Sequence, residues 1–202
     1  MCIRDRVFPR PGGMSAEDAA AMPVVYLTAY VALCVMGSLN PGERVLVQNA
    51  GGGVGLAALD ICRVRGAVAY GTASAWKHDT LRERGAAGCI DYRTADVRRE
   101  TMRLTDGEGV HVVLDPLGGD SWKTSYGCLC STGRLVIFGM SRGAPGESGG
   151  KLDMLKALSR VPWLTLNPMP GLTSTLSIST GRTITVFCAT SGTAASRTVR
   201  IW

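Results

Sequence analysis

Short apolar runs rich in β-branched residues alternate with longer stretches of helical periodicity through the middle of the chain. The apolar runs predict five strands, at residues 44–48, 68–71, 89–91, 111–115 and 134–138. The stretches between them predict helices at residues 53–65, 76–84, 96–105 and 121–129. Strands that alternate with crossover helices are typical of a parallel sheet covered on both faces. The pattern therefore predicts an α/β fold with a doubly wound parallel sheet of the Rossmann type, in strand order 3-2-1-4-5.

Two helices are predicted ahead of the first strand. Ser15 followed by two acidic residues is typical of a helix N-terminus, and Pro23 fits the start of a second helix that ends near Gly37. The longest apolar run, residues 22–36, is interrupted by a proline, a threonine and two tyrosines. It does not reach the roughly 18 uninterrupted apolar residues of a membrane helix. We therefore expect linking helices and no membrane span.

A glycine-rich turn lies between the first predicted strand and the helix that follows it. Residues 50–55 read Ala-Gly-Gly-Gly-Val-Gly. At Gly52 the backbone can approach a pyrophosphate, Gly55 lets the helix pack close to the sheet, and free amides at the helix start face an anion. Ala50 stands where the strict GxGxxG motif has its first glycine, and a tight turn without a ligand is the alternative. The position between strand and helix favours a dinucleotide site.

The residues after the second predicted strand favour NADP(H) over NAD(H). An NAD-binding domain usually presents an Asp or Glu there to the ribose 2′-hydroxyl, whereas this chain reads Gly-Thr-Ala-Ser at residues 71–74. Ser74 and Lys77 offer a hydroxyl and a cation to a 2′-phosphate. A solvated helix residue is the alternative for Lys77. For His78 and His111 we prefer the interpretation of packed or solvated histidines.

Charge and cysteine spacing narrow the range of functions. The net charge is +6, but residues 14–153 carry 14 Lys and Arg against 15 Asp and Glu, so the positive excess lies at the two ends. No basic face is predicted, and we expect no nucleic-acid partner. The seven cysteines form no CxxC pair, which argues against a metal site. They fit small buried side chains in the reducing cytoplasm.

Both ends of the chain differ in composition from its middle. Residues 1–6 (MCIRDR) resemble translated sequencing-adapter sequence. The tail, residues 171–202, has 13 Ser and Thr and neither Asp nor Glu. A shift of reading frame near Pro170 is the preferred explanation, and a native β-rich tail that includes the strand-like TITVF is the alternative. The predicted organisation is an artefact or unstructured segment at 1–13, linking helices at 14–38, an NADP-binding domain at 39–150, a helix and extension at 151–170, and the atypical tail at 171–202.

Six segments in order carry a resemblance to a known family: LTAYVAL, PGERVLVQNAGGGVGLAALDICR, GTASAWKH, GCIDYR, DPLGG and GRLVIFGM. Over residues 14–170 the chain resembles the medium-chain dehydrogenase/reductase superfamily and its zinc-independent quinone oxidoreductase group. GTASAWKH and LDPLGG are most similar to the vesicle amine transport protein-like branch. The resemblance implies hydride transfer from NADPH to a small-molecule acceptor, a quinone or an α,β-unsaturated carbonyl compound.

The resemblance also implies an organisation larger than this chain. In the family a GroES-like catalytic domain faces the cofactor domain, and that domain is not recognisable here, so we expect a fragment that is inactive alone. The intact protein is expected to be cytoplasmic and a homodimer through an edge strand near Phe138. Two alternatives stay open: a non-catalytic NADPH-binding interaction protein of the vesicle-trafficking type, and a stand-alone nucleotide-sensing domain.

Cofactor contacts follow from the resemblance position by position. It assigns Gly52, Gly53 and Val54 to the pyrophosphate. It assigns Ser74, Lys77 and Tyr92 to the 2′-phosphate and ribose. The nicotinamide end is assigned to Phe138, Gly139, Met140 and Thr28. The chain departs from the family at Gly51, where Ala or Ser is usual, and at Pro116, where Ser is frequent. No catalytic residue is predicted, because the acceptor wall belongs largely to the GroES-like domain.

Overall fold

The computed structural model describes residues 9–139 and three further strand segments, 172–177, 183–186 and 195–200. Helix α1 (Ala16–Tyr30) and a π-helical turn (Val31–Met36) precede the sheet. The strands are β1 (Arg44–Val47), β2 (Val68–Thr72), β3 (Ala86–Ile90), β4 (Val110–Asp115), β5 (Leu129–Ile137), β6 (Leu172–Ser177), β7 (Thr183–Val186) and β8 (Ala195–Arg200). The helices between them are α2 (Gly53–Val64), α3 (His78–Glu83), α4 (Val97–Leu104) and α5 (Ser121–Gly127), with a 3-10 turn (Ala75–Lys77) ahead of α3.

These strands form one sheet in the order β3-β2-β1-β4-β5-β7-β6-β8. The first five are parallel: Val45 of β1, for example, pairs with Ala69 of β2 on one side and with Val112 of β4 on the other. The direction of strand progression reverses between β1 and β4, and this reversal opens a crevice at the carboxyl ends of the two strands. The predicted α/β fold and the strand order 3-2-1-4-5 are confirmed.

Apolar side chains cover both faces of the sheet. Val45 and Val47 lie on the face packed by α1, the π-helical turn and α2. Leu46 lies on the opposite face, in a second cluster with residues of α4 and α5. Successive side chains of a strand point to opposite faces, so the continuous apolar run of β1 is what a central parallel strand requires. The carboxyl end of this buried strand carries the glycine loop.

The predicted division of residues 14–38 into two helices is wrong. Helix α1 runs without a break through Pro23 and passes into the π-helical turn. Proline lacks the N–H that would bond to the carbonyl four residues earlier, which normally ends or kinks a helix. Here Ala29 and Leu33 are fully buried against the sheet and α2, so tertiary packing outweighs the local cost of Pro23. The predicted N-cap is confirmed, because the Asp18 amide donates to Ser15 Oγ at 3.0 Å.

The boundary between α5 and β5 also differs from the prediction. The helix ends at Gly127 rather than at residue 129, and the strand begins at Leu129 rather than at residue 134. Leu129 is buried and pairs with Val110 across a register shift in β4. Burial of this side chain in the sheet therefore extends β5 beyond what the local apolar pattern indicated.

The tail contributes strands to the same sheet. β7 pairs parallel with β5 and antiparallel with β6, and β8 pairs parallel with β6. β7 is the segment TITV, which the alternative of a native β-rich tail had marked as strand-like. A shift of reading frame as the cause of the unusual tail composition stays a hypothesis.

β5 is flanked by β4 and β7, so the expectation of an edge strand near Phe138 is wrong. Met140 and the helix and extension predicted at 151–170 lie outside the described residues.

Helix α1 and the π-helical turn that follows it form one long apolar segment. In the part of the chain that the structure describes, Ala16–Met36 is the one segment long and apolar enough to cross a membrane by length and composition, with a mean hydropathy of 1.9. Core helices of soluble proteins pass the same test, so this is weak evidence. The absence of a membrane span stays a prediction.

Candidate functional site

The glycine loop, residues 49–55, lies at the carboxyl end of β1 where the strand order reverses. Asn49 has a φ of +54°, a left-handed conformation that asparagine adopts more readily than most residues. The Ala50 amide donates to the carbonyl of Thr72 at 2.9 Å, which ties the loop to β2. Gly52 then caps helix α2, whose first amides have no acceptor within the helix. The amides of Asn49, Ala50 and Gly52 are bonded within the protein, so the first-turn amides of α2 are the N–H groups that this end of the sheet offers to an anion.

Two glycines permit the close packing around this loop. A Cβ at Gly55 would lie 2.6 Å from the carbonyl oxygens of Asn49 and Ala50, so only glycine fits between the helix and the loop. A Cβ at Gly53 would lie 3.0 Å from Cγ1 of Val25 in α1. The role predicted for Gly55 in close helix packing is thus visible in the structure, and α1 is shown to seal one side of the loop.

Ser74 and Tyr92 meet beyond the end of β2, at the position predicted for the 2′-phosphate. Their hydroxyl oxygens are 3.5 Å apart, with Ser74 buried and Tyr92 exposed. The bond with Ser74, followed by interaction with Arg93, lowers the pKa of the Tyr92 phenol. The Arg93 guanidinium lies 5.9 Å from the centre of the Tyr92 ring. Sequence reasoning missed Arg93, although a cation directly after Tyr92 was a readable signal.

Lys77 folds across the glycine loop from the other side. Its Nζ donates to the carbonyl of Gly51 at 3.1 Å and lies 4.8 Å from the centre of the Trp76 ring. A Cβ at Gly51 would collide with Cδ of Lys77. The glycine that departs from the family pattern therefore makes room for the lysine stem. The structure thus brings the predicted phosphate ligand Lys77 to the same edge as Ser74 and Tyr92.

Neither histidine carries a catalytic arrangement. Nε2 of His78 lies 3.1 Å from the carbonyl of Ala73, and Nδ1 of His111 accepts the Arg44 amide at 3.1 Å. Both rings are engaged with the main chain, as expected for packed histidines. His111 also stands at the start of β4, at the end of the sheet away from the glycine loop.

Two of the residues predicted for the nicotinamide end, Phe138 and Gly139, meet the chain that follows β4. The Phe138 amide donates to the carbonyl of Asp115 at 3.3 Å. A Cβ at Gly139 would lie 3.0 Å from the carbonyl oxygen of Pro116, so glycine allows the two loops to touch. Thr28 is half-buried in α1, one helical turn after Val25. Val54 is in the first turn of α2. The contacts of all these residues with a cofactor stay predictions.

Two of the five described cysteines, Cys62 and Cys128, are buried as expected, whereas Cys34, Cys89 and Cys130 are partly exposed. Burial raises the pKa of Cys62 to about 12 and that of Cys128 to about 11. Thiols with such values are protonated at neutral pH and are poor nucleophiles and metal ligands. Among the described residues, no three His, Cys, Asp or Glu side chains form a group that could hold a metal ion.

Known proteins with similar sequences and structures match the part of the chain that contains the parallel sheet and the helices around it. A family model described as zinc-binding dehydrogenase matches residues 53–161. The synaptic vesicle membrane protein VAT-1 homolog of Homo sapiens is 42% identical over 159 residues, which are 78% of this chain and 39% of the relative. The chain thus spans about two fifths of the length of that relative.

Solved structures with more than 30% sequence identity share the architecture. The Escherichia coli quinone oxidoreductase complexed with NADPH is 37% identical with a TM-score of 0.63, over 72% of this chain and 44% of that one. The nucleotide-binding subdomain of the enoylreductase domain of PpsC from Mycobacterium tuberculosis is 34% identical with a TM-score of 0.60, over 82% and 79%.

Proposed function

This chain belongs to the zinc-binding dehydrogenase family, within the medium-chain dehydrogenase/reductase superfamily, and from that membership we propose that it is the NADPH-binding part of an oxidoreductase. The acceptor we propose is a quinone or an α,β-unsaturated carbonyl compound, reduced without zinc. The observation that carries the proposal is the meeting of the glycine loop with Ser74, Lys77 and Tyr92 at one sheet edge, with no acid following β2.

The residues present fit this cofactor at its two anionic groups. The first-turn amides of α2 offer hydrogen bonds to a pyrophosphate, and the glycines leave the backbone accessible. Lys77 lies against the glycine loop, and Arg93 lies beside Tyr92, whose hydroxyl contacts that of Ser74. Both cations would supply positive charge for a 2′-phosphate. An acidic side chain at this position would repel that phosphate, and residues 73–77 contain none.

When bound, NADPH supplies the hydride, so the protein's task is to hold and orient the two reactants. Phe138 and Gly139 would lie beside the nicotinamide, and Thr28 of α1 would face the same end of the cofactor. Glycine at 139 lets the loop after β5 approach Pro116 closely, because a Cβ there would lie 3.0 Å from its carbonyl oxygen. We assign no proton donor.

Cofactor titration tests the proposal directly. The purified chain is titrated with NADPH and with NADH by isothermal calorimetry. The proposal expects tighter binding of NADPH, because only NADPH carries the 2′-phosphate that Lys77 and Arg93 would neutralise. Equal affinities for the two cofactors would refute the assignment of this edge to a 2′-phosphate.

A second candidate function is a non-catalytic NADPH-binding protein that acts through interaction, as in vesicle trafficking. The observation that favours it is the 42% identity with a protein named as a synaptic vesicle membrane protein, together with the exposed apolar side chains of α1. Val24 is 73% exposed and Leu27 is 64% exposed. Flotation of the chain with lipid vesicles, compared with a Val24→Gln, Leu27→Gln variant, separates this candidate from the cytoplasmic enzyme that we prefer.

A further inference from the structure

A fully buried carboxylate lies at the carboxyl end of β4, directly beneath the crevice. Oδ2 of Asp115 accepts hydrogen bonds from the hydroxyls of Ser121 and Ser125, each at 2.7 Å. Oδ1 accepts the amide of Leu117 at 2.8 Å. A buried charge is stable only when hydrogen-bonded in this way. Asp115 thereby also fixes the turn at residues 116–119 that faces the predicted nicotinamide end.

The hydrogen bonds continue from Asp115 across three strands to the glycine loop. Nε2 of Gln48 donates to Ser125 Oγ at 3.2 Å, and Oε1 of Gln48 accepts the Thr72 hydroxyl at 2.8 Å. Thr72 Oγ1 in turn accepts the backbone amide of Asn49 at 3.1 Å. The side chains of Gln48, Thr72, Ser125 and Asp115 are buried, whereas Asn49 is exposed and takes part through its backbone amide. We call the series Asn49–Thr72–Gln48–Ser125–Asp115 the buried relay.

Each bond in the buried relay has only one permitted direction. A backbone amide can only donate, so Thr72 must accept from Asn49 and has one proton left for Gln48. Oε1 of Gln48 therefore faces Thr72, and its NH₂ group faces Ser125. Ser125 must then direct its proton to the carboxylate of Asp115. The backbone amide of Asn49 at one end thus fixes the orientation of every group up to Asp115.

Thr72 holds two successive amides of the glycine loop. Its side chain accepts from Asn49 and its main-chain carbonyl accepts from Ala50, at 3.1 and 2.9 Å. Asn49 is the loop residue with positive φ. A left-handed residue at the start of the loop sets the direction in which the following amides point. Loss of the side-chain bond would release this residue while leaving β2 and its ladder in place.

We propose that the buried relay positions the glycine loop for the pyrophosphate of the nucleotide and couples it to the 116–119 turn through Asp115. The inference rests on the proposed NADPH-binding function. Gln48, Thr72, Ser125 and Asp115 are positioning residues, since none of them reaches the crevice surface. The relay acts first on the pyrophosphate subsite, because Thr72 holds the amides of Asn49 and Ala50. The Ser74–Tyr92 contact is made by other bonds, and Lys77 reaches the loop only farther along, at the carbonyl of Gly51.

The test compares Thr72→Val with Thr72→Ser, since valine keeps the shape and removes the hydroxyl whereas serine restores it. The probes are NADPH and adenosine 2′-monophosphate, which has the 2′-phosphate but no pyrophosphate. Thr72→Val is expected to raise the Kd for NADPH about five- to tenfold, the change corresponding to one lost hydrogen bond. It should leave the Kd for adenosine 2′-monophosphate unchanged, and Thr72→Ser should restore NADPH binding.

The matched control is Thr101→Val in α4, which removes another buried hydroxyl that bonds to a carbonyl, that of Val97 at 2.7 Å. This variant should not alter the Kd of either nucleotide. Ser125→Ala breaks the relay from its far end and should weaken NADPH binding in the same direction. Equal weakening of both nucleotides by Thr72→Val, or an equal effect of Thr101→Val, would overturn the proposal.

Amide hydrogen exchange tests the relay without any ligand. Exchange at Asn49 should accelerate about fivefold or more in Thr72→Val and in Ser125→Ala, and not in Thr101→Val. If the wild-type chain binds neither nucleotide, the proposed function fails, while exchange at Asn49 still reports whether the relay holds the loop. Unchanged exchange at Asn49 in both relay variants would refute the relay itself.

Discussion

The side chain of Lys77 is flexible, but its ammonium group is bonded to the glycine loop. Its ammonium group donates to the carbonyl of Gly51, and Gly51 has no side chain to obstruct the lysine stem. The lysine is therefore held at the mouth of the crevice before a nucleotide arrives. Such preorganisation reduces the entropy lost when the same group binds a phosphate.

We predict that Lys77→Glu weakens binding of NADPH far more than binding of NADH. The substitution replaces attraction to a dianionic 2′-phosphate with repulsion, and NADH lacks that phosphate. The neutral change Lys77→Ala should cost on the order of 1.5–3 kcal/mol in NADPH binding, as for hydrogen bonds to charged groups. Calorimetric titration of both cofactors measures the difference, and equal losses for the two would mean that Lys77 does not touch the 2′-phosphate.

The buried cysteines give a prediction about reactivity. Burial raises the pKa of Cys62 to about 12 and of Cys128 to about 11, so at pH 8 both are almost entirely protonated. Brief treatment of the folded chain with N-ethylmaleimide at pH 8 should leave both thiols unmodified, as read by peptide mass spectrometry. Urea-unfolded protein provides the control in which both react, and rapid labelling in the native state would contradict the packing described here.

At the scale of elements, helix α1 is held against the sheet domain by apolar packing and by a hydrogen bond from Tyr26 to Asp60. The Tyr26 hydroxyl donates to Oδ2 of Asp60 in α2 at 2.7 Å, and Arg84 donates to the same oxygen at 2.7 Å. The bond with Asp60 raises the pKa of the Tyr26 phenol. This contact joins α1, α2 and the end of α3 at a point away from the glycine loop.

We expect Tyr26→Phe to lower the free energy of unfolding by about 1 kcal/mol, because it removes one hydrogen bond to a charged partner at a half-buried site. Tyr30→Phe is the matched control, since Tyr30 is a half-exposed tyrosine of the same helix. Urea denaturation of both variants measures the difference. Equal stability of the two would show that apolar packing alone holds α1 in place.

At the scale of the whole molecule, we propose that the described residues form one side of a reaction site. Hydride transfer requires the acceptor at roughly 3–3.5 Å from the donor, in a setting shielded from water. The chain spans 39% of the length of the human VAT-1 homolog, and its described residues build the sheet edge on the cofactor side only. The wall opposite that edge is expected from a GroES-like domain.

The 202-residue chain is therefore predicted to oxidise no NADPH above background with 1,4-quinones or enones, as followed by absorbance at the NADPH band. Joining the GroES-like halves of a close relative before Met14 and after Pro170 should restore turnover. A fusion that also carries Lys77→Glu controls for activity contributed by the added domain alone. Robust turnover by the unfused chain would show that its own residues close the site.

The sequence by itself determined the order of the five parallel strands and the position of the glycine loop. Both depend on local signals: a continuous apolar run such as that of β1 is required for a strand buried on two faces, and glycines at a strand-to-helix turn are required for close approach. Ser74 and Lys77 were proposed for the 2′-phosphate from their place directly after β2, whereas Tyr92 followed only from the family resemblance. The roles of all three stay predictions.

Tertiary structure alone decided the features that join distant segments. Helix α1 continues through Pro23 because packing against the sheet outweighs a local preference, and β5 begins early because Leu129 is buried beside Val110. The buried relay connects residue 49 to residue 115 through side chains of three strands and a helix. Such bonds depend on the register between strands and on burial, which no local pattern of hydrophobic and polar positions specifies.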